Sequence, residues 1–182
     1  MVKAFFLDRD GVINDDYITY LRTAEDVRLY PYVADAFKLI RKHGYEIFIV
    51  TNQPGIGEGK ITTAEFDTVC KRIEEILIEN GAEAPRKWYC CPHEQKDNCS
   101  CRKPLPGLVR KGAEEHNIDL EKSAMIGDKL SDVQCAVNAG LKHYAKVSTG
   151  HGSEDGEKGT LPGMIEETSI LPAIEKLLAE MK

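Results

Sequence analysis

Phe5-Phe6-Leu7-Asp8-Arg9-Asp10-Gly11-Val12-Ile13-Asn14 is the stretch that decides the fold of this 182-residue chain. Val2 to Leu7 are mostly apolar with no polar alternation, the pattern of a strand buried on both faces of a parallel sheet. The run stops at two carboxylates and a glycine. Asp8 and Asp10 therefore fall at the carboxyl end of a strand, where open α/β sheets hold their ligands. Alternation along an extended chain points Asp8 and Asp10 the same way and turns Arg9 aside, and Gly11 lets the backbone turn sharply after them. Two carboxylates this close ask for a divalent cation, a shared proton, or both. An Asp-rich turn or helix cap is the plainer alternative.

Two further strands end in polar residues. Tyr45 to Val50 runs into Thr51-Asn52-Gln53-Pro54-Gly55-Ile56-Gly57-Glu58-Gly59. Hydroxyl, amide and glycines there make a candidate anion loop, because backbone amides can approach a phosphate closely. A polar, glycine-rich turn is the alternative. Ser123 to Ile126 runs into Gly127-Asp128-Lys129-Leu130-Ser131-Asp132, a second acidic pair at a strand end. Helical spacing with flanking Pro and Gly predicts helices over Tyr32–His43, Thr62–Asn80, Leu105–His116, Val133–Asn138 and Leu171–Leu178. Lys87–Cys91 reads as a third strand and His143–Val147 as the last. Asp15 to Tyr30 shows no clear period, and Gly150 to Gly163, rich in glycine and charge, is expected to be a mobile surface loop. With no internal repeat and strands alternating with helices, the chain reads as one doubly wound, parallel-sheet α/β domain, Rossmann-like, over residues 1–182.

Four of the six cysteines crowd into positions 90 to 101. The spacing Cys91-x-His93…Cys99-x-Cys101 offers three thiolates and one imidazole, a match for a closed tetrahedral Zn2+ site over residues 91–101. Four such ligands leave no open position, so the metal is read as structural. Cys90 is left over, as a strand residue or a competing ligand. Arg102-Lys103-Pro104 follows at once, so this loop would hold two cations in a fixed place, where phosphate contact is the natural use.

The formal net charge of −6 gives no footprint for nucleic acid or an anionic membrane. No stretch approaches the roughly 18 consecutive apolar residues of a membrane span. The chain passes from Met1-Val2-Lys3 straight into a strand, so a secretory signal is not expected. We expect a cytoplasmic monomer with its thiols reduced and a small-molecule partner.

The order Asp8-Arg9-Asp10-Gly11, Thr51-Asn52, Lys103, Gly127-Asp128-x3-Asp132 resembles the four-motif signature of the haloacid dehalogenase-like (HAD) phosphatases. Thr51-Asn52-Gln53-x-Gly55-Ile56, the Cys-Pro-His…Cys-x-Cys-Arg-Lys-Pro loop and Gly127-Asp128-Lys129-Leu130 resemble the zinc-loop branch, over positions 4 to 147. Within it, the motifs Gly55-Ile56-Gly57-x-Gly59 and Gly127 to Asp132 are similar to phosphatases of heptose bisphosphates. Histidinol-phosphate phosphatase, which shares the first motif and the short zinc loop, is the alternative. Glu58 departs from the arginine commonly found there, either repelling a second anionic group or pairing with a cation. The loop after Asn14 also looks shorter than in well-known members. Both departures bear on substrate identity more than on chemistry.

The resemblance implies a phosphatase acting on a sugar phosphate. Where many relatives carry a cap domain, the stretches after the first strand and after Val50-Thr51 are here too short for one. Asp8 would be the nucleophile, forming an aspartyl-phosphate. Asp10 would be general acid and then base, protonated in one half-reaction and ionised in the other. Mg2+ would be held by Asp8, the Asp10 carbonyl and Asp128. Thr51, the Asn52 amide and Lys103 would hold the phosphoryl oxygens. Gln53, Arg102 and Lys129 are further substrate contacts by the same match, and Asp132 would orient Lys129 or Lys103. A non-enzymatic, zinc-stabilised binding module is the rival from another class. It predicts lost catalytic groups, and Asp8, Asp10, Thr51, Lys103 and Asp128 are all present.

Overall fold

The computed structural model describes residues 1–153 and 159–181. Residues 154–158, inside the expected mobile loop, lie outside the described residues. Six strands, β1 (Ala4–Leu7), β2 (Glu46–Asn52), β3 (Lys87–Cys91), β4 (Ala124–Gly127), β5 (His143–Val147) and β6 (Ile165–Glu167), form one parallel sheet in the order β3-β2-β1-β4-β5-β6.

The unbroken apolar run of β1 has a simple cause. Phe5 and Leu7 pack into one hydrophobic cluster and Ala4 and Phe6 into the other, all of them fully buried. Ile47 and Ile49 of β2 alternate with Phe48 and Val50 in the same way. Three helices, α1 (Val33–Lys42), α3 (Thr63–Glu79) and α6 (Ile170–Glu180), contribute to the first cluster. α4 (Gly107–His116) and α5 (Leu130–Ala139) contribute to the second. The result is a three-layer α/β/α fold with a strand at its centre that must be apolar on both faces.

Local signals place the helix ends. The Thr62 side chain accepts from the Glu65 amide at 3.1 Å while Glu65 Oε2 accepts the Thr62 amide at 2.6 Å, a capping box that starts α3. Gly140, at φ +97°, closes α5. Thr51 and Asn52, expected in a loop, instead extend β2 by pairing with Cys90 and Cys91.

Two expectations need correction. His143–Val147 is not the last strand: β6 pairs with it in parallel. Its three residues, Ile-Glu-Glu at the sheet edge, are too short and too polar to show a strand pattern. The expected mobile loop does not begin at residue 150, since Gly150–Ser153 form a 3-10 turn with Gly152 buried. Of the two readings of the glycine-rich stretch, anion loop or polar turn, the backbone matches the turn. Pro54–Gly57 form a short helical turn, α2, and the amides of Ile56, Gly57, Glu58 and Gly59 donate to the carbonyls of Gln53, Pro92, Pro54 and Ile56.

In register, Leu7 lies beside Ile49 on one side and Ile126 on the other. β1 ends at Leu7 and β4 one residue past the same level, while β2 runs three residues further, to Asn52. Between β1 and β4 the strand order reverses direction, the place where doubly wound sheets open a crevice.

Candidate active site and metal centre

At that crevice the chain buries a lysine among carboxylates. Lys103 Nζ lies 2.9 Å from Asp8 Oδ1 and 2.6 Å from Asp132 Oδ1, and donates to the Val50 carbonyl at 2.8 Å. Three acceptors match the three N–H groups of an ammonium. Burial alone would pull this group down, but Asp132 and Asp8 outweigh it and hold Lys103 above its ordinary range. The Asn52 side chain fixes the backbone of the same residue, accepting from the Lys103 amide and donating to its carbonyl, each at 3.1 Å.

Asp8 Oδ1 also accepts the Arg9 amide at 2.7 Å. Burial raises the Asp8 carboxyl to about 6, against the pull of Lys103 and with the help of Asp132 and Asp10. Asp10 has a different neighbourhood. Its carboxylate takes a two-pronged contact from Arg9, Nε at 2.9 Å and Nη2 at 2.7 Å, and a hydrogen bond from Gln53 Nε2 at 2.8 Å. Arg9, expected to turn aside, instead folds its guanidinium back onto the neighbouring carboxylate. Repulsion between the neighbouring carboxylates is thus eased by Arg9 on Asp10 and Lys103 on Asp8. Gln53 also donates to Thr51 Oγ1 at 2.9 Å. Asn52 and Gln53 line the cleft, yet their side chains are engaged in positioning Lys103, Asp10 and Thr51.

Asp128 completes the cluster: Asp8, Asp128 and Asp132 each offer a carboxylate oxygen within 4.8 Å of the others. Burial, with Asp8 and Asp132 adding to it, pushes the Asp128 carboxyl up to about 8. Its Oδ2 accepts the His151 amide at 2.8 Å, while its buried Oδ1 has no hydrogen-bond partner among the described residues. Asp132 Oδ1, also without a hydrogen bond of good geometry, lies 2.6 Å from Lys103 Nζ as an ion pair, and its Oδ2 accepts the Lys129 amide at 3.0 Å. The amides of Val12, Ile13 and Asn14 all converge on the Arg9 carbonyl, and among the described residues none donates to the carbonyl of Asp10. An orphaned buried carboxylate oxygen on Asp128 beside the Asp8 carboxylate offers the hard oxygen donors that Mg2+ takes. Gly11 is required here: at φ +77°, a Cβ would lie 2.4 Å from Asp128 Oδ2.

The four expected zinc ligands also meet. Cys91, His93, Cys99 and Cys101 place one ligand atom each within 4.8 Å of the others. Sulfur separations are 3.3, 3.5 and 3.7 Å, and His93 Nδ1 lies 3.2 Å from Cys101 Sγ and 3.5 Å from Cys91 Sγ. Zinc bond lengths in a tetrahedron give edges of about 3.8 Å between sulfurs and about 3.6 Å between nitrogen and sulfur. The donor set therefore fits zinc. Cys99 is brought down to about 7 because, against burial, the Cys101 and Arg102 amides donate to its sulfur. Cys90 is not in the group. Arg102 is tethered to the knot by a 3.2 Å hydrogen bond from Nη1 to the His93 carbonyl.

These groups open onto a cleft of about 650 Å³, whose walls include Asp8, Asp10, Thr51, Arg102, Lys103 and Lys129. The sequence reading missed His151. It followed composition into a surface loop, although the residue stands just past the end of β5, where strand-end logic would have placed it in the site. Its Nε2 lies 2.9 Å from Asp16 Oδ2, and both residues line the cleft.

A parallel sheet with aspartates on two adjacent strand ends and a buried lysine between them is the core of a HAD-like hydrolase, and a family profile described as HAD-hydrolase-like matches residues 100–174. The D-glycero-beta-D-manno-heptose-1,7-bisphosphate 7-phosphatase of Helicobacter pylori strain J99 is 39% identical over 141 residues, covering 78% of this chain and 80% of the relative. The protein of the same name from Pseudomonas putida is 35% identical over 170 residues, 93% of each chain. A crystal structure of D,D-heptose 1,7-bisphosphate phosphatase from B. bronchiseptica, complexed with magnesium and phosphate, superposes with a TM-score of 0.89 at 30% identity, over 98% of this chain and 99% of that one. The chain belongs to this family of HAD phosphatases, enzymes that hydrolyse phosphate monoesters.

Proposed function

We propose that the protein is a Mg2+-dependent phosphatase that removes the 7-phosphate of D-glycero-D-manno-heptose 1,7-bisphosphate through an aspartyl-phosphate. The observation that carries this reading is the Asp8 carboxylate, buried at the cleft, held on one oxygen by Lys103 and the Arg9 amide. A nucleophile fixed on one side presents its other oxygen to an incoming phosphorus, and positioning of this kind supplies much of the barrier reduction. Asp8 attacks phosphorus, and the bond to the sugar oxygen breaks. Asp10, aimed by Arg9 and Gln53, gives its proton to that oxygen. Water then enters, Asp10 takes its proton back from it, and the Asp8–phosphorus bond is cleaved to release phosphate.

Asp8, Asp128 and the Asp10 carbonyl would hold Mg2+, which would neutralise phosphate charge beside the carboxylates. Lys103 and Thr51 stabilise charge on the phosphoryl oxygens, and Asp132 keeps Lys103 in place. Arg102 and Lys129 are left for the remainder of the substrate. Zn2+ on Cys91, His93, Cys99 and Cys101 would be structural, a rigid wall that positions Arg102 where other members use a cap. We also infer a single, capless domain: all six strands among the described residues lie in one sheet.

The test is phosphate release with Mg2+ from both anomers of the heptose bisphosphate and from histidinol phosphate, with wild type and Asp8→Asn. The expected result is preference for a heptose bisphosphate, lowered by roughly 10⁴-fold or more in the variant. Preference for histidinol phosphate would overturn the substrate and leave the chemistry. Full activity of Asp8→Asn would overturn the mechanism.

A further inference from the structure

Five consecutive residues, Asp16 to Tyr20, line the cleft. Both ends of this strap are tied down. Asp16 Oδ2 lies 2.9 Å from His151 Nε2, and the Tyr20 hydroxyl donates to Glu58 Oε2 at 2.9 Å. The middle is braced as well: Arg28 stacks 3.7 Å over the Tyr17 ring, and the Tyr17 hydroxyl donates to the Asp26 carbonyl at 3.0 Å. The Tyr20 ring also presses on the backbone of α2, since a Cβ at Gly55 would lie 2.5 Å from its Cε1. Glycine at that position is what lets the ring lie there. Glu58, three residues on, is exposed and does not line the cleft.

We propose that Glu58 is a specificity-determining positioning residue, which pins Tyr20 over Gly55 and so fixes the Asp16–Tyr20 strap as the wall that reads the body of the substrate. This rests on the phosphatase reading above and adds what the strap recognises. Its side chains are two phenols, Ile18, the Thr19 hydroxyl and Asp16, the last facing His151. It carries no cation of its own. The cations of the cleft are Arg102, Lys103 and Lys129, so phosphate belongs with them. The strap suits the neutral, hydroxylated carbon skeleton of a sugar phosphate, which aromatic rings cover and hydroxyls hydrogen-bond. Neither alternative for Glu58, repulsion of a second phosphate or pairing with a cation, is needed, because its carboxylate already accepts from a phenol.

Glu58→Ala removes the acceptor, whereas Glu58→Gln keeps a carbonyl oxygen in its place. With the heptose bisphosphate as probe, Glu58→Ala is expected to raise KM roughly five-fold, the ratio that one net hydrogen bond commands, with kcat within about two-fold. Glu58→Gln should stay near wild type. Tyr20→Phe should match Glu58→Ala, and the double variant should be no worse than either, because both remove one contact. Amide hydrogen exchange in residues 16–20 should quicken in Glu58→Ala. A KM that falls in Glu58→Gln would establish repulsion and overturn the proposal, as would an unchanged KM in Glu58→Ala. Turnover of p-nitrophenyl phosphate by the wild type reports on the phosphatase reading separately. Should that reading fail, exchange in the strap still decides the anchoring, and unchanged exchange overturns it.

Discussion

Replacing Lys103 by methionine removes the cation shared by Asp8 and Asp132 while keeping an unbranched stem of similar bulk. Two ion contacts at 2.9 and 2.6 Å and one hydrogen bond to Val50 are lost together. At an effective dielectric near 20, each contact represents roughly 6 kcal/mol of attraction. Desolvation of the buried ammonium, several kcal/mol in its own right, cancels much of this. Removing one partner of such a buried pair has a net effect of about 3–5 kcal/mol, because the carboxylates left behind have nothing to face. Against a typical total of roughly 5–15 kcal/mol, that loss is large but need not unfold the chain.

The loss should also depend on pH, and its sign follows from the carboxyls. Asp8 sits at about 6 and Asp128 at about 8, both above the ordinary 3.8, so the folded state binds protons that the unfolded state has released. Groups of this kind stabilise the fold most below their unfolded pKa, and that contribution is lost as pH rises through the folded value. Without Lys103 the Asp8 carboxyl rises further. At about pH 5.5 it takes up a proton in place of the lost cation, whereas at about pH 8 it cannot. Urea denaturation of Lys103→Met without divalent metal should therefore show a deficit of about 3–5 kcal/mol near pH 8 and a smaller one near pH 5.5. A deficit under about 1 kcal/mol near pH 8, or a larger one at the acid end, would refute the account of Lys103 as the counter-ion of this cluster.

If Asp8 and Asp128 hold Mg2+ as proposed, binding displaces their protons, so its stabilising effect should grow as pH rises towards their pKa values, by about 1.4 kcal/mol per pH unit for each proton displaced when Mg2+ is well above its Kd. Thermal shifts with excess Mg2+ at about pH 5.5 and 8 measure this, and equal shifts would exclude these two residues as ligands. Cys99→Ala, or zinc removal by a chelator, should lower the melting temperature and reduce activity through loss of local order around Arg102. Unchanged melting and activity after verified zinc removal would end the structural role of the knot.

Much of this was legible because strand ends declare themselves. Phe5 to Leu7 stop at Asp8, and Ala124 to Gly127 stop at Asp128, so two carboxylates could be placed at one sheet edge without coordinates. Short-range spacing likewise located the Cys91, His93, Cys99 and Cys101 group, since Cys91 to Cys101 span only a loop. What sequence could not show were partners set by tertiary approach. Arg9 is adjacent to Asp10 in the chain, yet its return onto that carboxylate depends on the tight turn that gathers three amides on its own carbonyl. His151 was hidden by composition, because glycines that permit close packing look the same in a string as glycines that permit motion. Gly150 approaches so near to Gly11 that a Cβ there would lie 2.4 Å from the Gly11 Cα. β6 was missed because three edge residues carry too little pattern.

Arg102 and Lys103 are adjacent in sequence but differ in what holds them. Lys103 is fixed by three acceptors on its ammonium and by both arms of Asn52 on its backbone, none of which belongs to the zinc loop. Arg102 hangs on the His93 carbonyl, inside the knot. Loosening the knot therefore frees Arg102 first, while the carboxylate cluster still pins Lys103. Because Arg102 is assigned to the body of the substrate and Lys103 to the transferred phosphoryl group, loss of zinc should weaken substrate binding before it slows the chemical step. A knot two residues from Lys103 can in this way tune recognition while leaving the counter-ion of Asp8 in place.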